Sequence, residues 1–439
     1  MAGWYKAVIA VELPYTPPEE AFAAFGATPG LAFLDSAAAG DPRARLSYLC
    51  LGPSATLRLA AEPFACLRRW LAAYPAPTRP EGWPFPFAGG AVGWIGYDLA
   101  REAAGTTSRF APMADLPGGY FGLYTMLLGF DLAARRLFYL GPEAELPAIR
   151  LKLNTPPAPH APFPALGWEP EMSRDAYRAA HARLRAYIAA GDIYQANLTL
   201  RFLAPRPPNL SLPALYLALR RLSPAPFAAC LNHPGFGLAC ASPERFLRLT
   251  AEGSVESRPI KGTAAREAEP ARDAAAAAAL RASPKERAEN LMITDLLRHD
   301  LGQVCTIGSI AVPELWAVES YAQAHHLVSA VTGRLQPGLD AFDLLAATLP
   351  GGSVTGAPKR RAMQIIDELE AGPRGAYCGA LAWIGFDGAM DSAIIIRTLT
   401  ATATTLYAQA GGGITWDSVA EAEYAEAMVK ISPLLAPGT

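Results

Sequence analysis

Residues 380–399 read ALAWIGFDGAMDSAIIIRTL. Two apolar runs, Ala380 to Phe386 and Ala393 to Leu399, flank Asp387-Gly388. Asp-Gly between β-branched and aromatic runs signals a hairpin with a type I′ turn, whose backbone twist matches that of paired strands. The chain is therefore expected to build antiparallel sheet here. Downstream, glycines 411 to 413 end the next strand, and Ser418 with Glu421 has the spacing of a capping box opening a last helix.

Helix signals precede the hairpin. Ser173 is placed to cap a helix with an apolar face of Tyr177, Ala180, Leu184, Tyr187 and Ile188, stopped at Gly191. A strand from about Ile193 to Phe202 follows. Ser283-Pro284-Lys285-Glu286 combines a capping box with Pro at the first helical position, which predicts a helix to about His299. Gly93-Trp94-Ile95-Gly96-Tyr97-Asp98 resembles Ala382-Trp383-Ile384-Gly385-Phe386-Asp387, and a duplication would place them as equivalent strands of two related sheets. NTPPAPHAPFP at 154–164 holds five prolines, which favour extended backbone. The expected organisation is an N-terminal region over 1–153, a Pro-rich linker over 154–168 and a catalytic domain over 169–439.

Composition excludes several classes. With 51% hydrophobic and 18% charged residues over 439 positions, the chain can bury a large core. A net charge of -2 argues against general nucleic-acid binding, which needs a basic face. The six cysteines show no metal-binding spacing and read as buried thiols. No run of about 18 uninterrupted apolar residues appears, and the first residues lack a signal-peptide pattern, so no membrane association and a cytoplasmic location are expected.

Only six lysines stand among 38 basic residues, so Lys261 in Pro259-Ile260-Lys261-Gly262-Thr263 attracts attention. A desolvated Lys can act as a neutral amine nucleophile, whereas Arg keeps its proton. On the helix from Ser283, Glu289 shares a face with Met292, Ile293 and Leu296, and a carboxylate there needs a partner. Glu423, Glu426 and Lys430 form a stripe on the last helix. If the two helices converge, Glu289 and Glu426 supply hard oxygen ligands suited to Mg²⁺. The loop PGGSVTGAPK at 350–359 fails the phosphate-loop pattern, because its second glycine is followed by Ala-Pro-Lys. It remains a glycine-rich turn into a helix, with free amides suited to carboxylates, and Arg397 is placed to add a bidentate clamp. His325-His326 reads as a pair of satisfied strand residues.

These segments, in this order, resemble the chorismate-utilising enzymes. The resemblance rests on SPERF at 242–246, PIKGT, AENLMITDLLRHDL at 288–301, HLVS at 326–329, GSVTGAPK, the GAYCGALAWIGFDG hairpin with Ile396-Arg397, and AGGGITWDSVAEAEYAEAMVK at 410–430. It implies an α+β fold of two packed antiparallel sheets with helices outside. Gln195 stands where isochorismate and salicylate synthases carry a water-activating Lys. Lys261 stands where anthranilate synthases carry Ala, and the aminodeoxychorismate branch of the family has Lys. The resemblance thus implies attack of Lys261 on carbon 2 of chorismate, with Glu244 protonating the departing carbon 4 hydroxyl and ammonia displacing the lysine. It implies Mg²⁺ held by Glu289 and Glu426, with Glu423 acting through water. Thr263, Gly356, Tyr377, Arg397, Gly413 and Lys430 match substrate-binding positions, and His326 one near the ring hydroxyl. Ammonia is expected from a separate glutamine amidotransferase subunit. Phe33-Leu34-Asp35-Ser36 lies where relatives begin a tryptophan pocket, with Asp35 where anthranilate synthases tend to have Glu, and tryptophan binding there is left open. An anthranilate synthase large subunit and a catalytically silent binding subunit are the rival readings.

Overall fold

The computed structural model describes residues 8–156, 165–321 and 324–436. The start of the chain, on which the signal-peptide reading rests, and residues 157–164 of the Pro-rich stretch lie outside the described residues. Two antiparallel sheets pack face to face, with helices over both outer faces. By the first residue of each strand, the twelve-stranded sheet runs 8, 136, 127, 46, 31, 227, 236, 398, 405, 195 and 356, with Glu169–Pro170 against Gln195–Pro205. The ten-stranded sheet runs 260, 324, 254, 245, 390, 380, 90, 119 and 55, with Ala311–Ser320 beside Ala324–Arg334.

Strand periodicity sorts the core into three layers. On Leu31–Asp35, Ala32 and Leu34 point between the sheets, where Tyr48, Phe85, Trp94 and Phe138 gather. Phe33 points the other way and stacks on Phe22 at 4.7 Å, with Tyr216 edge-on, beneath the helices. A third cluster, including Ile293, Leu297 and Leu345, covers the outer face of the ten-stranded sheet. Each buried side chain of this size contributes about 1.5–3 kcal/mol.

The Pro-rich stretch divides the sequence but not the sheets. Leu31–Asp35 pairs with Phe227–His233 in one sheet, and Gly90–Ile95 pairs with Ala380–Gly385 in the other. Segments from both sides of it therefore share all three core layers.

Several local expectations hold. Ser173 caps the helix Arg174–Ala189, Ser283 caps Pro284–Gly302, and all six cysteines are free. Others are corrected. The hairpin turn is a three-residue loop, Phe386-Asp387-Gly388, in which only Gly388 is left-handed, whereas type I′ requires both central residues there. Asp387 instead accepts a hydrogen bond from the Ala389 amide. The expected strand Ala393 to Leu399 is two strands: Met390–Ile394 belongs to the ten-stranded sheet and Thr398–Ala401 to the twelve-stranded one. Ser418 does not cap the last helix, which begins at Ala420 after Val419, because its hydroxyl is bonded to Glu423. The repeated motifs are antiparallel neighbours in one sheet, Gly93 opposite Ala382, not equivalent strands of two sheets.

Candidate active site

The Lys261 strand, Ile260–Ala265, ends the ten-stranded sheet, and Gln195–Pro205 with Gly356–Ala357 end the twelve-stranded one. The helices Pro284–Gly302 and Ala420–Leu435 pack against these ends, on the Ala324–Arg334 and Thr405–Ile414 strands respectively. Sequence-distant groups meet here.

Lys261 is half-buried, and its Nζ donates to the Ser353 carbonyl at 3.4 Å. Glu244 is buried, which pushes its carboxyl above the ordinary range against the opposing effects of Lys261, the Ser353 hydroxyl, the Ile260 amide and Arg43. A carboxyl whose proton is held more tightly than usual stands beside an amine, which is the pairing that acid-assisted nucleophilic displacement uses.

Acidic residues from the two helices face this pair. Burial pushes Glu289 up, with Lys261 opposing and Glu286 and Glu423 adding to the rise. Burial also acts on Glu426, but Lys430, 2.6 Å away, together with Lys285 and Lys261 outweighs it and holds that carboxyl below its ordinary value. Lys430 also donates to the Gly411 carbonyl at 3.0 Å. Glu423 is buried and accepts from Ser418 at 2.7 Å. Gly412 leaves room over these carboxylates: a Cβ there would lie 3.1 Å from Glu423 Oε2 and 3.9 Å from Glu426 Oε1. Among the described residues, no three His, Cys, Asp or Glu side chains already stand close enough to enclose a metal. The hard oxygens, and the cradle beside them that a Cβ at Gly412 would fill, nevertheless fit a small divalent cation.

The other wall is built for anions. Arg397 lies in the crossover between the two sheets with a left-handed backbone, φ 49°. Burial lowers its pKa, and its guanidinium has no carboxylate partner among the described residues. Beside it His326 donates to or accepts from Thr263 at 3.0 Å. Burial, then Arg43 and Arg397, bring the His326 pKa down to about 4, so the imidazole is neutral near pH 7. Gly356 has φ 149°, and a Cβ there would come 2.1 Å from the Gln195 carbonyl. The Gln195 side chain lies over Gly413, fully buried, with neither polar atom bonded among the described residues. Such an orphaned amide is placed for a ligand. Tyr377 differs from the rest: it is packed in the core beside Cys378 and Arg374, with burial pushing its hydroxyl well up.

Sequence reading missed Ser353, Ser418 and Arg43. It also missed the buried pair Glu370–Arg374, at 2.7 Å, which ties Thr199, Asn197 and Val354 together. Ser353 and Ser418 lie within quoted motifs, but Ser353 reads only as part of a glycine-rich turn and Ser418 as a helix cap, and nothing in the sequence around Arg43 marks it. His325 is satisfied as expected, by Ser320 at 2.7 Å and Asp273 at 2.9 Å.

The family described as chorismate binding enzyme matches residues 32–436. The chain belongs to that family. Among its relatives, aminodeoxychorismate synthase component 1 of Klebsiella aerogenes is 40% identical over 97% of this chain and 98% of that protein. Anthranilate synthase component 1 of Streptomyces coelicolor is 37% identical over 92% of this chain and 82% of that one. A solved structure, anthranilate synthase component I from Streptococcus pneumoniae TIGR4, has a TM-score of 0.78 at 30% identity, covering 89% of this chain and 92% of its own. This chorismate binding enzyme thus has the fold of two packed antiparallel sheets that its motifs implied. Among the described residues no helix is long and apolar enough to cross a membrane.

Proposed function

We propose that this chain aminates chorismate with ammonia to give 4-amino-4-deoxychorismate, using Lys261 as a covalent nucleophile. The observation that carries this reading is the amine of Lys261 set beside the buried Glu244 carboxyl, whose pKa is raised, with neutral His326 and an Arg397 that has no carboxylate partner among the described residues in the same site. The neutral Lys261 amine forms a bond to ring carbon 2. The ring double bonds shift, the carbon 4–oxygen bond breaks, and Glu244 gives the departing hydroxyl its proton, so that it leaves as water. Ammonia then bonds to carbon 4, the double bonds shift back and the lysine leaves as the amine. Arg397 and the backbone amides near Gly356 and Gly413 would orient the carboxylates, and Thr263 would hold the His326 ring in place. Mg²⁺, held by Glu289 and Glu426 with Glu423 nearby, would offset the charge of the ring carboxylate. Gln195 in place of a basic Lys leaves no group there to activate water.

A separate glutamine amidotransferase subunit is the partner this reading requires, consistent with the wording "component 1" in the relatives' names. Asp35 and Ser36 line a cavity of about 930 Å³ between the sheets. Asp35 is already bonded to Tyr216 at 2.7 Å and Arg220 at 2.6 Å. Any tryptophan in that cavity would be held by other residues, and Asp35→Asn is expected to lower the melting temperature without changing tryptophan retention in equilibrium dialysis.

The deciding experiment incubates the chain with chorismate, Mg²⁺ and excess ammonium and identifies the product by chromatography and mass spectrometry. Aminodeoxychorismate from the wild type, lost in Lys261→Ala, supports the reading. Anthranilate with pyruvate would overturn it, and no turnover would favour a silent binding subunit.

A further inference from the structure

One residue that the proposed reaction does not yet use stands next to both of its reacting groups. The Ser353 carbonyl accepts from Lys261 Nζ at 3.4 Å. The Ser353 side chain and the Ile260 amide, one residue before Lys261, both lie close enough to the Glu244 carboxyl to lower its pKa against the effect of burial. Glu244, Ile260, Lys261 and Ser353 therefore gather around one point.

This cluster is anchored from behind. Ser353 sits in the short 3-10 turn Gly352–Val354. The Val354 carbonyl accepts from Arg374 Nη1 at 2.8 Å and from Asn197 Nδ2 at 3.2 Å. Arg374 is itself locked by Glu370 and by the Asn197 carbonyl at 2.8 Å, and all of these groups are buried. On the turn's front side, Gly352 packs against Leu296, where a Cβ would come 2.5 Å from Cδ2. The turn thus has one position available to it, and a fully satisfied buried network confers that kind of rigidity.

We propose that Ser353 is a positioning residue for the reaction, fixing the amine of Lys261 and the carboxyl of Glu244 in register, with Arg374 and Asn197 holding Ser353 in place. The inference rests on the reading of Lys261 as nucleophile and Glu244 as acid. They must act on ring carbon 2 and on the carbon 4 hydroxyl in the same step, so an error in their separation costs rate and not affinity. The hydroxyl is also placed to donate a hydrogen bond to the carboxylate that Glu244 becomes on giving up its proton, which a methyl group cannot do.

The test compares wild type, Ser353→Ala, Ser353→Thr and Asn197→Ala in ammonium-dependent turnover of chorismate, with mass spectrometry of the Lys261 adduct formed when ammonium is omitted. The expected result for Ser353→Ala is a fall in kcat of about tenfold or more, KM for chorismate within about twofold, and slower adduct formation. Ser353→Thr should recover most of the rate, because it keeps the hydroxyl. Asn197→Ala, which weakens the anchor and leaves Ser353 intact, should fall in between, and it supplies the reading if Ser353→Ala does not fold. A Ser353→Ala rate within about twofold of wild type, a KM that rises in step with the loss, or a Thr variant as poor as Ala would overturn the inference. Absence of aminodeoxychorismate from the wild type would overturn the underlying reading, and this inference with it.

Discussion

Lys261 stands close enough to Glu244, Glu289 and Glu426 to lower the pKa of each carboxyl. In the proposed reaction it attacks as a free amine, which a guanidinium cannot do at any working pH. Lys261→Arg is therefore expected to keep the fold, as judged by an unchanged circular dichroism spectrum, and to form no adduct detectable by mass spectrometry. Glu244→Gln removes the proton donor while keeping the shape, and kcat should drop by about 10²–10⁴-fold with little change in KM. The neutral His326 makes a different prediction. With a folded pKa of about 4, it stays uncharged down to that value, so its imidazole resonances should show no titration between about pH 5.5 and 8. Because that pKa is depressed, the stability His326 contributes is present above the unfolded value and is lost as pH falls toward the folded one.

The two helices that face each other across the site store an electrostatic cost. Burial, Glu286 and Glu423 raise the Glu289 pKa, so the folded state disfavours its ionised form. A carboxyl with a raised folded pKa contributes its stability below the unfolded value and loses it as pH rises. Glu289→Gln should therefore melt about 1–2 °C higher than wild type near pH 7.5 without metal, and the gain should vanish near pH 4. The same variant should lose turnover, and chelation with EDTA followed by Mg²⁺ should remove and restore the activity of the wild type alone. Gly412→Ala tests the same wall from the strand side. Its Cβ would crowd Glu423, and a loss of turnover with an unchanged melting temperature is the expected outcome. The position of Ser418 shows what local patterns miss: its spacing to Glu421 fits a cap, but its hydroxyl serves Glu423, and Glu421 pairs with Arg174 and Arg178 instead.

At the scale of the molecule, the segments on either side of the Pro-rich stretch cannot be separated without opening both sheets. Removing residues 8–156 would expose the edge of Phe227–His233, the edge of Ala380–Gly385 and the aromatic layer between the sheets. A chain of residues 165–439 expressed alone should be aggregated or lack a cooperative thermal transition, and a soluble, cooperatively melting fragment would contradict this. The pairing of Gly93 with Ala382 makes the same point, because the two similar motifs lie side by side and one sheet is built from both.

The sequence by itself determined the class of the fold, the helices capped by Ser173 and Ser283, and which side chains are the candidates for reactive chemistry. Those features depend on short-range spacing and on residue types that have few other uses, such as a lysine in an arginine-rich chain. Only the tertiary structure decided that Met390–Ile394 and Thr398–Ala401 enter different sheets, leaving the Arg397 guanidinium in the gap between them with no carboxylate partner among the described residues. Only it revealed that Ser353 touches both Lys261 and Glu244, residues about a hundred positions away in the chain. The physical reason is common to both cases. Hydrogen bonds across sheets, and the burial that shifts a carboxyl, arise from neighbours brought together by long-range pairing, and no local pattern of residues records them.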